Sequence, residues 1–246
     1  MTIFEKNYSN LYDLLYLDKP YDAEVLTINN LIKNNLGSGS YKILDVGCGT
    51  GNHSFRLAKS HQVIGLDKSA DMLENASKKN QDIKWIKGDA TSFILNDHFD
   101  VVIMMAAVLG YQHYNINITN TLYYIHKHLV PNGLFIFDVW YGPTVIKTGV
   151  TERIKVVNNG DTKFIRLAKG QLFELHNLCK VDYNIWNTST GEETIESHMM
   201  RYFFPVEIEL FLYHAGFEIL KIGQCPMIDI KPSYDSWHMM VAARAI

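Results

Sequence analysis

Three glycines at alternate positions, Gly47, Gly49 and Gly51, follow an apolar run ending at Asp45 in the stretch Lys42-Ile43-Leu44-Asp45-Val46-Gly47-Cys48-Gly49-Thr50-Gly51-Asn52. Glycines at this spacing let the backbone turn sharply and let a ligand lie directly on the main chain, where a Cβ would collide. A turn from the first strand into a helix is where an open α/β sheet binds a nucleotide-like cofactor. A dinucleotide fingerprint spaces its glycines G-x-G-x-x-G toward a pyrophosphate; this chain has G-x-G-x-G behind an acid, which disfavours a dehydrogenase. Gln62-Val63-Ile64-Gly65-Leu66-Asp67 then reads as a second strand ending in an acid, about 20 residues after the first glycine, the distance at which a carboxylate grips a ribose diol. Taken alone, Asp67 is also an ordinary acid ahead of a helix, because Ser69 is a good N-cap.

The acid-glycine pattern D-x-G-C-G-T-G-N resembles the first motif of the class I S-adenosylmethionine methyltransferases. The resemblance implies that the Gly47, Gly49, Gly51 loop meets the methionine part of S-adenosylmethionine, with Asp45 supporting it, and that S-adenosylhomocysteine is the product. It implies further that Asp67 takes the ribose, that Met72 packs near the adenine (plain core is an equal reading), and that Asp89 bonds the adenine amino group. Lys68, Ala90, Met105 and Tyr12 complete the cofactor set it suggests. No metal enters the scheme, since the ten histidines show no ligand-type spacing.

Methyl transfer from a sulfonium is in-line displacement and asks mainly for alignment of the nucleophile. An amine or hydroxyl acceptor must also lose a proton, so His113 and His198 are the first candidates for a base, with Tyr111 and Asp138 next. Each also has an ordinary reading as a hydrogen-bonded structural residue. Tyr12, Tyr16 and Tyr21 are placed to close over cofactor and acceptor, Trp140 and Tyr141 to form an apolar wall, and Arg201 to pair with a substrate phosphate or a neighbouring glutamate. Leu11 to Tyr16, Gly51-Asn52-His53, Asp138 to Pro143 and His198 to Pro205 are similar to the small-molecule branch of the family. That branch includes N,N-dimethyltransferases of nucleotide-linked amino sugars. Those enzymes often carry a histidine after the fourth strand where Tyr111 aligns here, with His113 two residues on, a departure that bears on any histidine-assisted amine mechanism.

The elements that must position these residues follow from periodicity. Ile83 to Ala90 gives a third strand, and Phe99 to Met105 a fourth whose continuous apolar character suits a parallel strand covered on both faces. Leu134 to Phe137 gives a fifth, running into Asp138. Residues 9–36 are helical, with Asp22 expected as an N-cap, and Gly37-Ser38-Gly39-Ser40 links them to the core. Between about 150 and 203 the texture becomes alternating, with turn clusters at Asn158 to Asp161 and Ser189 to Glu192. Pro205 opens a last helix, followed by two closing strands. The expected fold is α/β: a Rossmann-like, seven-stranded, mostly parallel sheet with helices on both faces and a β-rich antiparallel insertion. The expected organisation is a cofactor-binding core from 1–145 with 204–246, its residues 1–36 a helical cap, and a substrate-binding insertion at 146–203.

A formal charge of −3 from 23 basic and 26 acidic residues gives no broad nucleic-acid footprint. Within the insertion, Lys147, Arg153, Lys155, Lys163, Arg166 and Lys169 face only Glu152 and Asp161. This is either a solvated strand surface or a small basic patch that suits a diphosphate. Three scattered cysteines suggest a reducing compartment. No signal peptide or membrane-spanning run is evident, so a cytoplasmic enzyme is expected, with a homodimer left open. The expected function is methyl transfer to a small molecule, in its sharpest form an amino or hydroxyl group of a nucleotide-linked sugar. An RNA or protein methyltransferase is the alternative, but Met104-Met105-Ala106-Ala107 stands where enzymes that methylate exocyclic base amines carry an N/D-P-P-Y/F motif. A non-catalytic cofactor-binding subunit is disfavoured by the intact loop.

Overall fold

The computed structural model describes residues 3–4 and 6–246. Two helices, α1 (Lys6–Leu15) and α2 (Tyr21–Leu36), precede β1 (Lys42–Val46). The chain continues through α3 (Asn52–Leu57), β2 (Gln62–Asp67), α4 (Ala70–Lys79), β3 (Lys84–Lys87), β4 (Phe99–Met104), α5 (Asn115–His128) and β5 (Leu129–Trp140). After α6 (Gly142–Thr148) come β6 (Arg153–Asn159), β7 (Thr162–Phe173), β8 (Leu178–Asn187) and β9 (Glu193–Arg201), then α7 (Pro205–His214), β10 (Phe217–Gln224) and β11 (His238–Ala245).

One sheet has seven strands in the order β10-β11-β5-β4-β1-β2-β3, and only β11 runs antiparallel to the others. Its central strands are apolar on both faces because both are covered. Leu44, Val102, Phe135 and Phe137 pack toward α5 and α7, while Ile43, Val101, Ile103 and Ile136 pack toward α2 and α3. The strand order reverses between β1 and β4, so the loops after these strands open a crevice, the place where such sheets bind ligands. Both the glycine loop and the segment leading to Tyr111 lie there.

Residues between the fifth strand and the last helix form a separate antiparallel sheet, β6-β7-β8-β9. Its inner face turns Val157, Phe164 and Ile185 toward Tyr8 and Leu15 of α1. Thus α1 lies between the two sheets.

Local signals set most boundaries. Ser69 caps α4 by accepting from the Met72 amide. Pro205 opens α7 at its first position, where its missing N–H costs nothing. Some boundaries differ from expectation: the helical stretch 9–36 is split into α1 and α2, β3 is shorter and β5 longer than expected, and α2 begins at Tyr21 after Pro20, so Asp22 sits in the first turn rather than at the N-cap. There it favours the helix dipole and pairs with Arg56 at 2.7 Å. Cys48, Cys179 and Cys225 are free thiols. Among the described residues no helix is long and apolar enough to cross a membrane.

Candidate active site

The glycine loop is held almost entirely by its own neighbours. The Gly47 and Cys48 amides both donate to the Leu66 carbonyl, the Gly51 amide donates to Cys48, and the Gly49 amide donates to an Asp67 carboxylate oxygen at 2.7 Å. Gly47, Gly49 and Gly51 all adopt positive φ, 74°, 55° and 75°, which favours glycine. Their surroundings differ. A Cβ on Gly47 would come within 2.4 Å of Val108 and one on Gly51 within 2.5 Å of Trp85, whereas one on Gly49 would meet nothing within 4 Å. Packing alone therefore demands two of the glycines, and only Gly49 borders open space. The loop thus spends the Gly47, Cys48, Gly49 and Gly51 amides within the protein. It suits a cofactor that carries no phosphate and presents cationic groups to carboxylates.

Those carboxylates are in place. Asp45, at the end of β1, is buried and accepts from Ser54 Oγ at 2.5 Å; burial pushes its pKa up. Asp67, at the end of β2, is also raised by burial, against the pull of the Gly49 and Ser69 amides that fix its two oxygens. Burial works to raise Asp89 too, but bonds from Lys68 (2.8 Å) and Thr91 outweigh it and hold this carboxyl below its ordinary range. Met72 is buried on α4, Met105 is buried against α2 and α3, and Ala90 packs against the other core face. An edge with one open glycine and flanking acids fits S-adenosylmethionine.

Helix α1 closes over this edge. The Asp13 carboxylate accepts from Thr50 Oγ1 at 2.6 Å and Asn52 Nδ2 at 2.8 Å, and pairs with Lys79 at 2.5 Å. From the same helix Tyr12 packs on Tyr16, with ring centroids 4.7 Å apart. A cleft of about 450 Å³ opens beside them, lined in part by Asp13, Tyr16, Lys19, Tyr21 and Asn52.

An aromatic cluster occupies the space between α1 and the second sheet. Tyr111 Oη lies 3.1 Å from His198 Nδ1. Phe4, Tyr8 and Tyr183 surround His198 with centroids 5.0, 5.4 and 5.4 Å from its ring. Burial pushes His198 down to about 4 and Tyr111 well above an ordinary phenol, so both are neutral near pH 7. His198 Nε2 has no hydrogen-bond partner; Glu196 Oε1 at 3.8 Å is beyond bonding distance. His113 Nε2 sits 2.8 Å from the Met199 carbonyl. A carbonyl only accepts, so Nε2 carries the proton and Nδ1 keeps a lone pair.

Other expected site residues lie apart from this cluster. The Arg201 guanidinium is bonded to Glu207, to Asn115 Oδ1 at 2.7 Å and to the His113 carbonyl at 3.2 Å. Of its two expected partners the structure shows the neighbouring glutamate. Trp140 packs on Trp237 within the small core below the second sheet, and Tyr141 bridges to Phe203. Tyr21 is buried against His53, with Lys19 and Arg56 over its ring.

Asp138 also has a different setting from that of a free base. It accepts from the Ala107 amide at 3.1 Å and lies 2.5 Å from His238 Nδ1. Burial works to raise its pKa, but the bond and charge of His238 outweigh this and leave it lowered. Ala106 and Ala107 both adopt positive φ, 65° and 56°, a conformation that costs non-glycine residues energy. Asp138 therefore pins a strained turn at the end of β4. Sequence reasoning missed Phe4, Tyr8, Asp13 and Tyr183, whose partners are distant in the chain.

Known proteins fit this geometry. A methyltransferase-domain family model matches residues 43–133, from β1 to the turn within β5. Over 226 residues the chain is 31% identical to a dTDP-3-amino-3,4,6-trideoxy-alpha-D-glucopyranose N,N-dimethyltransferase of Streptomyces venezuelae, covering 88% of this chain and 92% of that one. The chain belongs to the class I S-adenosylmethionine-dependent methyltransferases. Solved structures agree on the fold of this methyltransferase. Streptomyces venezuelae DesVI superposes with a TM-score of 0.82 at 23% identity, covering 99% and 100% of the two chains. An S-adenosylmethionine-dependent methyltransferase of Clostridium acetobutylicum gives 0.84 at 18% identity, covering 97% and 98%.

Proposed function

We propose that this methyltransferase transfers a methyl group to the amino group of a nucleotide-linked sugar. The carrying observation is that α1 touches both the hydrogen-bonded Tyr111–His198 pair, through Tyr8, and the cofactor loop, through Asp13. The similarity to an amino-sugar N,N-dimethyltransferase along 88% of the chain supports the same acceptor class.

S-adenosylmethionine, when bound, supplies a methyl group already activated on a sulfonium. The chain then has to exclude water, orient the acceptor and manage a proton. Helix α1, clamped through Asp13, and the face of β8 and β9 enclose the space. His198 holds its proton poorly and so serves as a neutral hydrogen-bond partner that orients the Tyr111 hydroxyl. His113, with Nδ1 free, is the better acceptor for the proton an ammonium group must shed before it can attack. Asp138 acts at one remove, fixing the Ala106–Ala107 turn beside the cofactor edge. In this reading residues 146–203 form the acceptor-binding part, and Arg201 and Trp140 brace it.

The test is transfer of labelled methyl from S-adenosylmethionine to a panel of amino nucleotide-sugars, their hydroxyl counterparts, bulk RNA and protein extract. Label on the amino sugars alone supports the proposal. Label on the hydroxyl compounds moves the acceptor atom to oxygen, and label only on RNA or protein overturns the reading.

A further inference from the structure

Among the described residues, Arg166 of the second sheet keeps two buried guanidinium nitrogens without an acceptor. On the inner face of β6 and β7, Lys155 and Arg166 are directly paired across the strands. Lys155 is satisfied by Asp18 and by the Leu15 carbonyl at 2.8 Å. Elsewhere in the sheet Lys169 pairs with Glu152, Lys180 pairs with Asp182, and Arg153 stacks on Trp237. Arg166 differs. Its guanidinium packs on two tyrosine rings, 5.5 Å from the centroid of Tyr16 and 5.0 Å from that of Tyr183. Its Nε and Nη1 are buried and find no acceptor. Asp18, the carboxylate that feels the Arg166 charge, is already bonded to Lys155.

A buried donor without a partner is costly, and a charged one more so. The two rings pack on the guanidinium and leave Nε and Nη1 for an acceptor that is not part of the protein. The charge-assisted donors of a guanidinium match the oxygens of a phosphate. Position supports this choice. Tyr183 is 5.4 Å from the His198 ring and 5.0 Å from the Arg166 guanidinium carbon, so one aromatic residue separates the proposed amine end of the site from the cation. A nucleotide-linked sugar has the same layout, with one sugar ring between its amine and its diphosphate.

We propose that Arg166 is the anion-binding residue of the acceptor site and holds the diphosphate of the nucleotide-linked substrate, with Lys155 adding charge beside it. The assignment rests on the nucleotide-sugar reading for its ligand, but not on which atom is methylated. Tyr16 and Tyr183 act as positioning residues for the guanidinium.

The experiment is calorimetric titration of the full chain, saturated with S-adenosylhomocysteine, with thymidine diphosphate and with thymidine. The wild-type protein should bind the diphosphate more tightly than the nucleoside, and less tightly as salt rises. Arg166→Gln should weaken diphosphate binding about 10- to 100-fold, leave the nucleoside unaffected and keep the affinity for S-adenosylhomocysteine. Arg166→Lys should fall between, and it replaces the glutamine variant if that one loses S-adenosylhomocysteine binding. Lys163→Gln, on the outer face of β7, should change nothing. Equal binding of the diphosphate by wild type and Arg166→Gln overturns the assignment, as does a wild type that does not prefer diphosphate to nucleoside. If the assignment fails while amino nucleotide-sugars are still methylated, the acceptor reading survives it. If Arg166 governs diphosphate binding while no nucleotide-sugar is methylated, the anion site stands and the acceptor reading falls.

Discussion

At the edge of the seven-stranded sheet the polar groups described are bonded to the protein itself: Asp45 to Ser54, Asp67 to two amides, Asp138 to Ala107 and His238. Across α1, on the four-stranded sheet, Arg166 Nε and Nη1 and His198 Nε2 are buried with no hydrogen bond. The first region is preorganised and can be complete before a ligand arrives. The second is chemically incomplete, which is expected of a surface whose partner is the acceptor. A shared cofactor permits a fixed, self-satisfied edge, whereas a particular acceptor must be read by groups left open for it.

The comparison can be broken from either side. The largest effect is expected from His113→Ala, which removes the proposed proton acceptor. Its kcat near neutral pH should fall by about 10²- to 10⁴-fold with cofactor affinity retained, and a kcat within twofold of wild type would remove His113 from the mechanism. On the preorganised side, Asp67→Ala frees the Gly49 and Ser69 amides and deletes the expected ribose contact. Titration with S-adenosylhomocysteine should show a loss of roughly 100-fold, from charge-assisted hydrogen bonds of about 1.5–3 kcal/mol. Asp138→Ala releases the strained Ala106–Ala107 turn and leaves the Ala107 amide without its acceptor. The expected cost is about 3 kcal/mol, read as a lower denaturation midpoint, and a midpoint unchanged from wild type would show that the turn does not need the pin.

A further test uses acid. Burial depresses His198 to about 4 in the folded protein, against about 6.5 in an unfolded chain. The unfolded state therefore takes up the proton first, so stability is full above pH 6.5 and declines as pH falls from there toward 4. The loss is at most roughly 3 kcal/mol. In His198→Phe that segment of the stability–pH curve should flatten; an unchanged curve would mean that His198 is not held neutral by burial. The smallest effect is expected at Lys169, whose ion pair with Glu152 is exposed at 3.2 Å. Lys169→Ala should shift stability by less than about 1 kcal/mol.

What was legible in the sequence follows the same division. The cofactor edge is built from short segments in which acid, glycine and helix are contiguous, so type and spacing were enough to find Asp45, Gly49 and Asp67. Even there no local pattern shows that Gly47 and Gly51 are required by Val108 and Trp85. The second region is assembled across long separations. The Phe4 amide donates to Glu196, 192 residues away, and Tyr111 reaches His198 over 87. No local pattern marks such pairs. Arg201 attracted attention by its type among aromatics, but Glu207 and Asn115, which accept from its two Nη atoms, are not adjacent to it in sequence. Arg166 was one of several basic residues until the fold showed which of them had partners.

The most direct measurement is a crystal structure of the protein with S-adenosylhomocysteine and an amino nucleotide-sugar. The account predicts the homocysteine sulfur beside the Gly47–Gly51 loop, the sugar nitrogen facing it from the side of Tyr111 and His113, and the diphosphate on Arg166. A sugar nitrogen directed away from the sulfur, or an acceptor bound outside the space between α1 and the second sheet, would contradict it.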